Sequence, residues 1–236
     1  VVCIALPALF MTLLFTRSWA KTLLLDRTPK LAACVAAVLL AITIHPLAQQ
    51  MITWVQRLYP IQDAVQAQSQ AIEQMLATSP YVWLPFVLMA VLPAICEELA
   101  FRGFILSGLR HLGHKWWAIA LSAVFLGMAH TVVQQSLSAA ALGLVSGYVA
   151  VQTTSLIPAI LFHASYNSLM LAIGLSPQFI GYLRERWPNV MSLLVADDAA
   201  GMTYRMPVVI ASAVLSLALL RWLHRLPYQA TEEEVL

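Results

Sequence analysis

Ala94-Ile95-Cys96-Glu97-Glu98-Leu99-Ala100-Phe101-Arg102-Gly103-Phe104 sets two adjacent carboxylates and a guanidinium inside an apolar run. Residues 81–95 before the acidic pair carry no charge, and Phe104 to Leu109 after it is mostly apolar. A charge at membrane depth costs about 2.5–3.5 kcal/mol even on the lenient insertion scale, so such groups face a bundle interior or a wet cavity and mark functional sites. The other helices are then expected to hold this acidic pair in place.

Working outward, the composition fixes the class. Of 236 residues, 61% are hydrophobic and 10% charged, against about 25% charged in soluble domains. The apolar runs are long and continuous, unlike the short alternating segments of a barrel. They predict an all-α, polytopic transmembrane helix bundle of about seven spans with one or two extramembrane helices. A net charge of +2 is too small to suggest nucleic acid as a partner. Cys3, Cys34 and Cys96 lie in apolar runs and read as free buried thiols, with no CxxC or Cys/His metal spacing.

The first run, Val1 to Thr16, is shorter than the roughly 20 residues of a full span. It has no basic n-region and no cleavage site, so it is not a signal peptide. The chain is expected to be the C-terminal part of a longer protein. A basic loop with Arg17, Lys21, Arg27 and Lys30 leads to a second span over Leu31 to Val55, in which His45-Pro46 reads as a packed or interfacial histidine near a bend. The polar stretch from Arg57 to Pro80 carries an amphipathic helix outside the bilayer or in its interface. The third span, Tyr81 to Arg110, would be about 45 Å long and must tilt, kink near Pro85 or Pro93, or protrude. His111 and His114 read as solvated loop residues, and Trp116-Trp117 as an interface anchor.

Further spans are expected over Trp116 to Gln135, Ser136 to Gln152 and Leu156 to Gly174. The middle one is rich in Ala, Gly and Ser, so it reads as a packing helix without chemistry. Pro177 to Tyr204 reads as an extramembrane helix and loop, Met206 to Leu223 as the last span, and Thr231 to Leu236 as a disordered tail. The chain thus divides into N-terminal helices over 1–80, a core over 81–174, and a closing segment over 175–236. The bias of Lys and Arg places the C-terminus in the cytoplasm.

Glu97, Glu98, Arg102, His130, His163 and Asn167 are polar residues in apolar surroundings. Glu98 and Arg102 are four apart and can pair on one helix face. Glu97 lies about 100° round the helix from Glu98, so one carboxylate is neutralised while the other points elsewhere. A carboxylate buried beyond a cation's reach binds its proton more tightly, which suits a general base near neutrality. His163 and Asn167 also share a face, and His130 comes from a third helix. A carboxylate with a histidine can deprotonate water, and a second histidine with an amide can donate to an oxyanion. There is no GxSxG elbow and no HExxH, so water is the simplest nucleophile. Protein groups alone could activate it, or Zn²⁺ held by Glu97, His130 and His163 with an open fourth position.

Glu97-Glu98-x-x-x-Arg102, His130 ending an apolar run, and His163-x-x-x-Asn167 together resemble the three motifs of the CPBP family of intramembrane proteases. That family includes the CAAX prenyl endopeptidases and the bacteriocin-processing and abortive-infection-type proteins. The resemblance runs from Trp83 to Leu171. It implies that Glu97 activates water with help from His130, that His163 and Asn167 form the oxyanion hole, and that Glu98 and Arg102 support them. The phenylalanine usual four residues before the second-motif histidine is replaced by Leu126, with Phe125 just before it. Members are often described as metalloproteases, although the glutamate mechanism needs no metal. Some bacterial members are fused behind an ABC-type permease segment, which would make ABC transporter components partners alongside membrane lipid and a membrane-associated peptide or protein substrate. The resemblance also implies a bacterial inner-membrane location. Prenylated peptides, bacteriocin precursors and pheromones all remain open as substrates.

Two rivals use the same residues. In a permease or transport-accessory module the polar cluster would handle a cation or proton. In a non-catalytic scaffold it would only fix helix packing.

Overall fold

The computed structural model describes residues 2–175, 177–198 and 201–227. Ten helices longer than one turn are labelled in chain order: α1 Val2–Phe15, α2 Leu31–Leu58, α3 Asp63–Ala77, α4 Trp83–Arg110, α5 Lys115–Met128, α6 Val133–Thr153, α7 Leu156–Leu175, α8 Pro177–Arg186, α9 Pro188–Leu194 and α10 Met206–His224. Between α9 and α10, β1 (Val195–Asp198) and β2 (Gly201–Tyr204) form an antiparallel hairpin in which Val195 faces Tyr204.

The fold is an all-α bundle with, among the described residues, five helices long and apolar enough to cross a membrane: α2, α4, α6, α7 and α10. The apolar helices α1 and α5 are shorter. Each would reach about 20 Å, against a hydrocarbon core of ~30 Å. The expected seven spans are thus five full-length helices and two short ones. The fourth expected span fails to reach Gln135 because its helix stops at Met128, and α6 begins three residues earlier than expected, at Val133. The segment expected as one helix and loop over 177–204 is two short helices and a hairpin. The tail over 231–236 lies outside the described residues.

Helix α2 is the central post. Ala33, Ala36, Ala37, Leu40, Ala41, Ile44 and Ala48 form its buried stripe, packed with Phe162 and Tyr166 of α7 and with Leu223 of α10. Alanine at these positions lets the helix backbones approach closely. His45 is 1% exposed on this helix, which runs unbroken through Pro46. Its ring is held between Met170 and Tyr204, with His45 Nε2 3.1 Å from Met170 Sδ and the Tyr204 hydroxyl 3.2 Å from Nδ1. Of the three thiols, Cys96 is buried but Cys3 is exposed, because α1 turns Ala5, Ala8 and Thr12 inward instead.

The third span is expected to tilt, kink near Pro85 or Pro93, or protrude. Helix α4 is continuous but widens twice into π-helix, over Val87–Val91 and Leu99–Leu106. Pro93 cannot donate to the carbonyl four residues back, and its ring would collide with it. The first π segment ends just before this position. π-Helical turns inside α-helices occur frequently at functional sites. Glu97 and Glu98 stand at the end of the α-helical piece between the two π segments.

Candidate active site

Four elements build the site: α4, the turn after α5, α6 and α7. Helices α5 and α6 form a tight pair. A Cβ on Gly127 would lie 2.9 Å from Ala140 Cβ, and one on Gly147 would lie 3.2 Å from Ile119 Cγ2. The second π segment of α4 rests on this pair. Ser122 of α5 donates to the Phe101 carbonyl at 2.8 Å. Leu126, Phe101, Ala100 and Ala8 share one buried cluster, which ties α1 and α5 to α4.

The Glu98 carboxylate is sealed, with a side-chain exposure of 0%. Arg102, also fully buried, places Nε 3.4 Å from Glu98 Oε2. His163 Nδ1 lies 2.9 Å from Glu98 Oε1. Arg102 Nη2 donates to the Gly143 carbonyl of α6 at 3.1 Å. The Ser146 hydroxyl, one turn further along α6, faces Glu98. Helix α6 is therefore more than a packing helix, since its backbone takes part in the charged cluster.

Glu97 differs from its neighbour. Its side chain is 10% exposed, and its Oε2 lies 3.8 Å from Nε2 of His163, which is 14% exposed. That separation exceeds a direct hydrogen bond. One imidazole therefore faces both carboxylates, bonded to Glu98 and opposed to Glu97. With Nδ1–H donating to Glu98, Nε2 is the nitrogen left to work.

His130 is the clearest departure from expectation. It lies not within a span but in the turn between α5 and α6, where its backbone N–H donates to Gly127 at 3.0 Å. The ring is set by Nδ1, 3.0 Å from the Leu126 carbonyl. As a donor there, Nδ1–H leaves Nε2 as the free acceptor. Leu126, four residues before His130, is buried beside Phe101. Asn167 is half-buried one helical turn from His163. Among the described residues, hydrogen bonds and ion pairs link Glu97, Glu98, Arg102 and His163, while the His130 ring bonds to the Leu126 carbonyl and Asn167 follows His163 by one helical turn.

Among the described residues, no group of three or more His, Cys, Asp or Glu side chains could hold a metal ion. Glu97, His130 and His163, which would hold zinc in the metal-dependent alternative, are not arranged as such a set. Gly143 and Ser146 are the participants that sequence reasoning missed. A backbone carbonyl leaves no mark in a sequence, and the only trace was the small-residue content of α6.

Residues 79–169 match the family model of the Rce1-like type II CAAX prenyl endopeptidases. The match spans all of α4, α5 and α6 and runs through Asn167 of α7. No curated protein and no solved structure matches the chain. This segment is thus similar to the Rce1-like domain of a CAAX-type intramembrane protease family.

Proposed function

We propose that the chain is an intramembrane endopeptidase that hydrolyses a peptide bond of a membrane-associated substrate with a water activated by Glu97. The observation that carries this reading is the division of the acidic pair. Glu98 is paired with Arg102 and sealed at 0% side-chain exposure, whereas Glu97 keeps 10% and lies 3.8 Å from His163 Nε2. A purely structural cluster would have paired both.

In this reading Glu97 takes a proton from water, with His130 Nε2 as the second acceptor that orients it. The water oxygen attacks the scissile carbonyl carbon. The oxyanion receives hydrogen bonds from His163 Nε2–H and the Asn167 amide, and such donors typically contribute about 3–4 kcal/mol each. The C–N bond then breaks, and Glu97 returns its proton to the leaving amine. With Nδ1–H held by Glu98, donation from Nε2 requires that the His163 ring carry both protons. Glu98 and Arg102 hold the ring and do not touch the substrate.

The test is cleavage of a prenylated CAAX peptide by protein purified in detergent. His130→Ala and His163→Ala are expected to lower turnover by at least about 100-fold at unchanged helix content. Wild-type turnover in both variants would end the reading. Turnover that survives a chelator supports the protein-only mechanism, and turnover that stops and returns with added Zn²⁺ overturns it.

A further inference from the structure

We infer that Gly143 of α6 is a positioning residue: its bare α-carbon seats the Arg102 guanidinium, and through Glu98 that seat sets the ring of His163. The inference rests on the proteolytic reading above and identifies what aligns that site.

Arg102 is the hub of the sealed side, and its geometry leaves little freedom. Its Nε is committed to Glu98 at 3.4 Å and its Nη2 to the Gly143 carbonyl at 3.1 Å. Its Nε and Nη1 are both buried without a hydrogen-bond partner, so the ion pair with Glu98 and the single hydrogen bond to Gly143 are the contacts that orient the group. The Gly143 carbonyl is within reach because nothing projects from its α-carbon. A Cβ there would lie 2.9 Å from Arg102 Nη2 and 3.1 Å from both Cα and Cβ of Ala123. The first contact is with the guanidinium itself, so the methyl would push the charged group off its acceptor. Glu98 would lose its counter-charge geometry, and the 2.9 Å bond that fixes His163 Nδ1 would move with it. Misplacing a catalytic group by about 1 Å can cost about 100-fold in rate.

The same helix supplies the control. Gly147, four residues on, is also close-packed, though less tightly: its Cβ would lie 3.2 Å from Ile119 Cγ2. None of its three nearest neighbours is Arg102. A methyl at 147 therefore perturbs the α5–α6 interface without touching the charged cluster.

The experiment compares Gly143→Ala, Gly147→Ala and Gly143→Ala/Ala123→Gly in the full chain, purified in detergent. The readouts are peptide cleavage, Tm and the ¹⁵N resonances of the His163 ring. Gly143→Ala is expected to lower kcat by about 100-fold with KM little changed, and to shift the ring resonances. Gly147→Ala is expected to lower Tm while keeping kcat and the resonances. The double variant removes the Ala123 Cβ contact, so it regains Tm but not kcat, and it carries the test if the single variant does not fold. Normal turnover in Gly143→Ala, equal loss in Gly147→Ala, or recovery of kcat together with Tm would each make Gly143 a packing residue and overturn the inference. If the wild-type protein cuts no peptide, the protease reading fails separately. The resonances then still decide: a shift confined to the Gly143 variants supports the seat, and no shift overturns it.

Discussion

Helix α7 carries two polar clusters on one face, and they are built differently. His163, Tyr166, Asn167 and Met170 follow a helical spacing that brings them to the same side. At the His163 level the cluster is charged, with two carboxylates and a guanidinium from α4. About 10 Å further along the axis, at Met170, it is neutral: His45 bonds to the Met170 sulfur and to the Tyr204 hydroxyl, and packs against Tyr166. The neutral cluster closes on itself with a hydroxyl and a thioether. The charged one requires a counter-ion, a backbone carbonyl from a third helix and a glycine to expose it. It also leaves one carboxylate unpaired by arginine. A cluster made only to glue helices would resemble the first kind. The second kind is what chemistry in a low-dielectric site requires.

Breaking the charged cluster should have the largest effect on stability. Arg102→Met leaves Glu98 buried without its cation, an arrangement that typically costs about 3–5 kcal/mol. A fall in Tm of several degrees with loss of cleavage is expected, read by thermal unfolding and peptide assay. Adding Glu98→Gln to that variant should recover most of the Tm, because a neutral pair carries little desolvation cost, while cleavage stays low. If the single variant unfolds like the wild type, the pair is not the hub described.

Smaller effects are expected at the neutral cluster. His45→Phe keeps the ring volume and loses two polar contacts, so a stability loss of about 1–2 kcal/mol with cleavage retained is expected. Equal loss of cleavage would show that the two levels of α7 act as one site. Tyr204→Phe should cost the least, about 1 kcal/mol. Burial pushes the Tyr204 hydroxyl up from its ordinary range. The folded protein therefore keeps that proton when the unfolded chain loses it, and stability should fall as pH rises past about 10. Tyr204→Phe should flatten that part of the pH–stability curve, as followed by unfolding at pH 8 to 11.

Much of this was legible in the residues. The i, i+4 spacing of Glu98 and Arg102 predicts their pairing, and they pair. The long uncharged runs predict the all-α bundle; the length of the third span predicts tilt, a kink near Pro85 or Pro93, or protrusion, and α4 is continuous with two π-helical segments. The turn at His130 was hidden because Met128-Ala129-His130-Thr131-Val132 contains no glycine or proline to end the helix. The hairpin over 195–204 was hidden because Asp197 and Asp198 read as loop. That His163 faces both carboxylates depends on how α7 rotates against α4, a tertiary fact that no local spacing encodes. The Gly143 carbonyl belongs to the same class.

The central claim is that neighbouring glutamates do different work, one reactive and one structural. The most direct measurement makes the same substitution at each and follows peptide turnover and Tm together in detergent. Glu97→Gln is expected to lower kcat by at least about 1,000-fold with Tm unchanged. Glu98→Gln is expected to lower Tm and to keep measurable turnover. Wild-type turnover in Glu97→Gln, or complete loss in Glu98→Gln at wild-type Tm, would contradict the account.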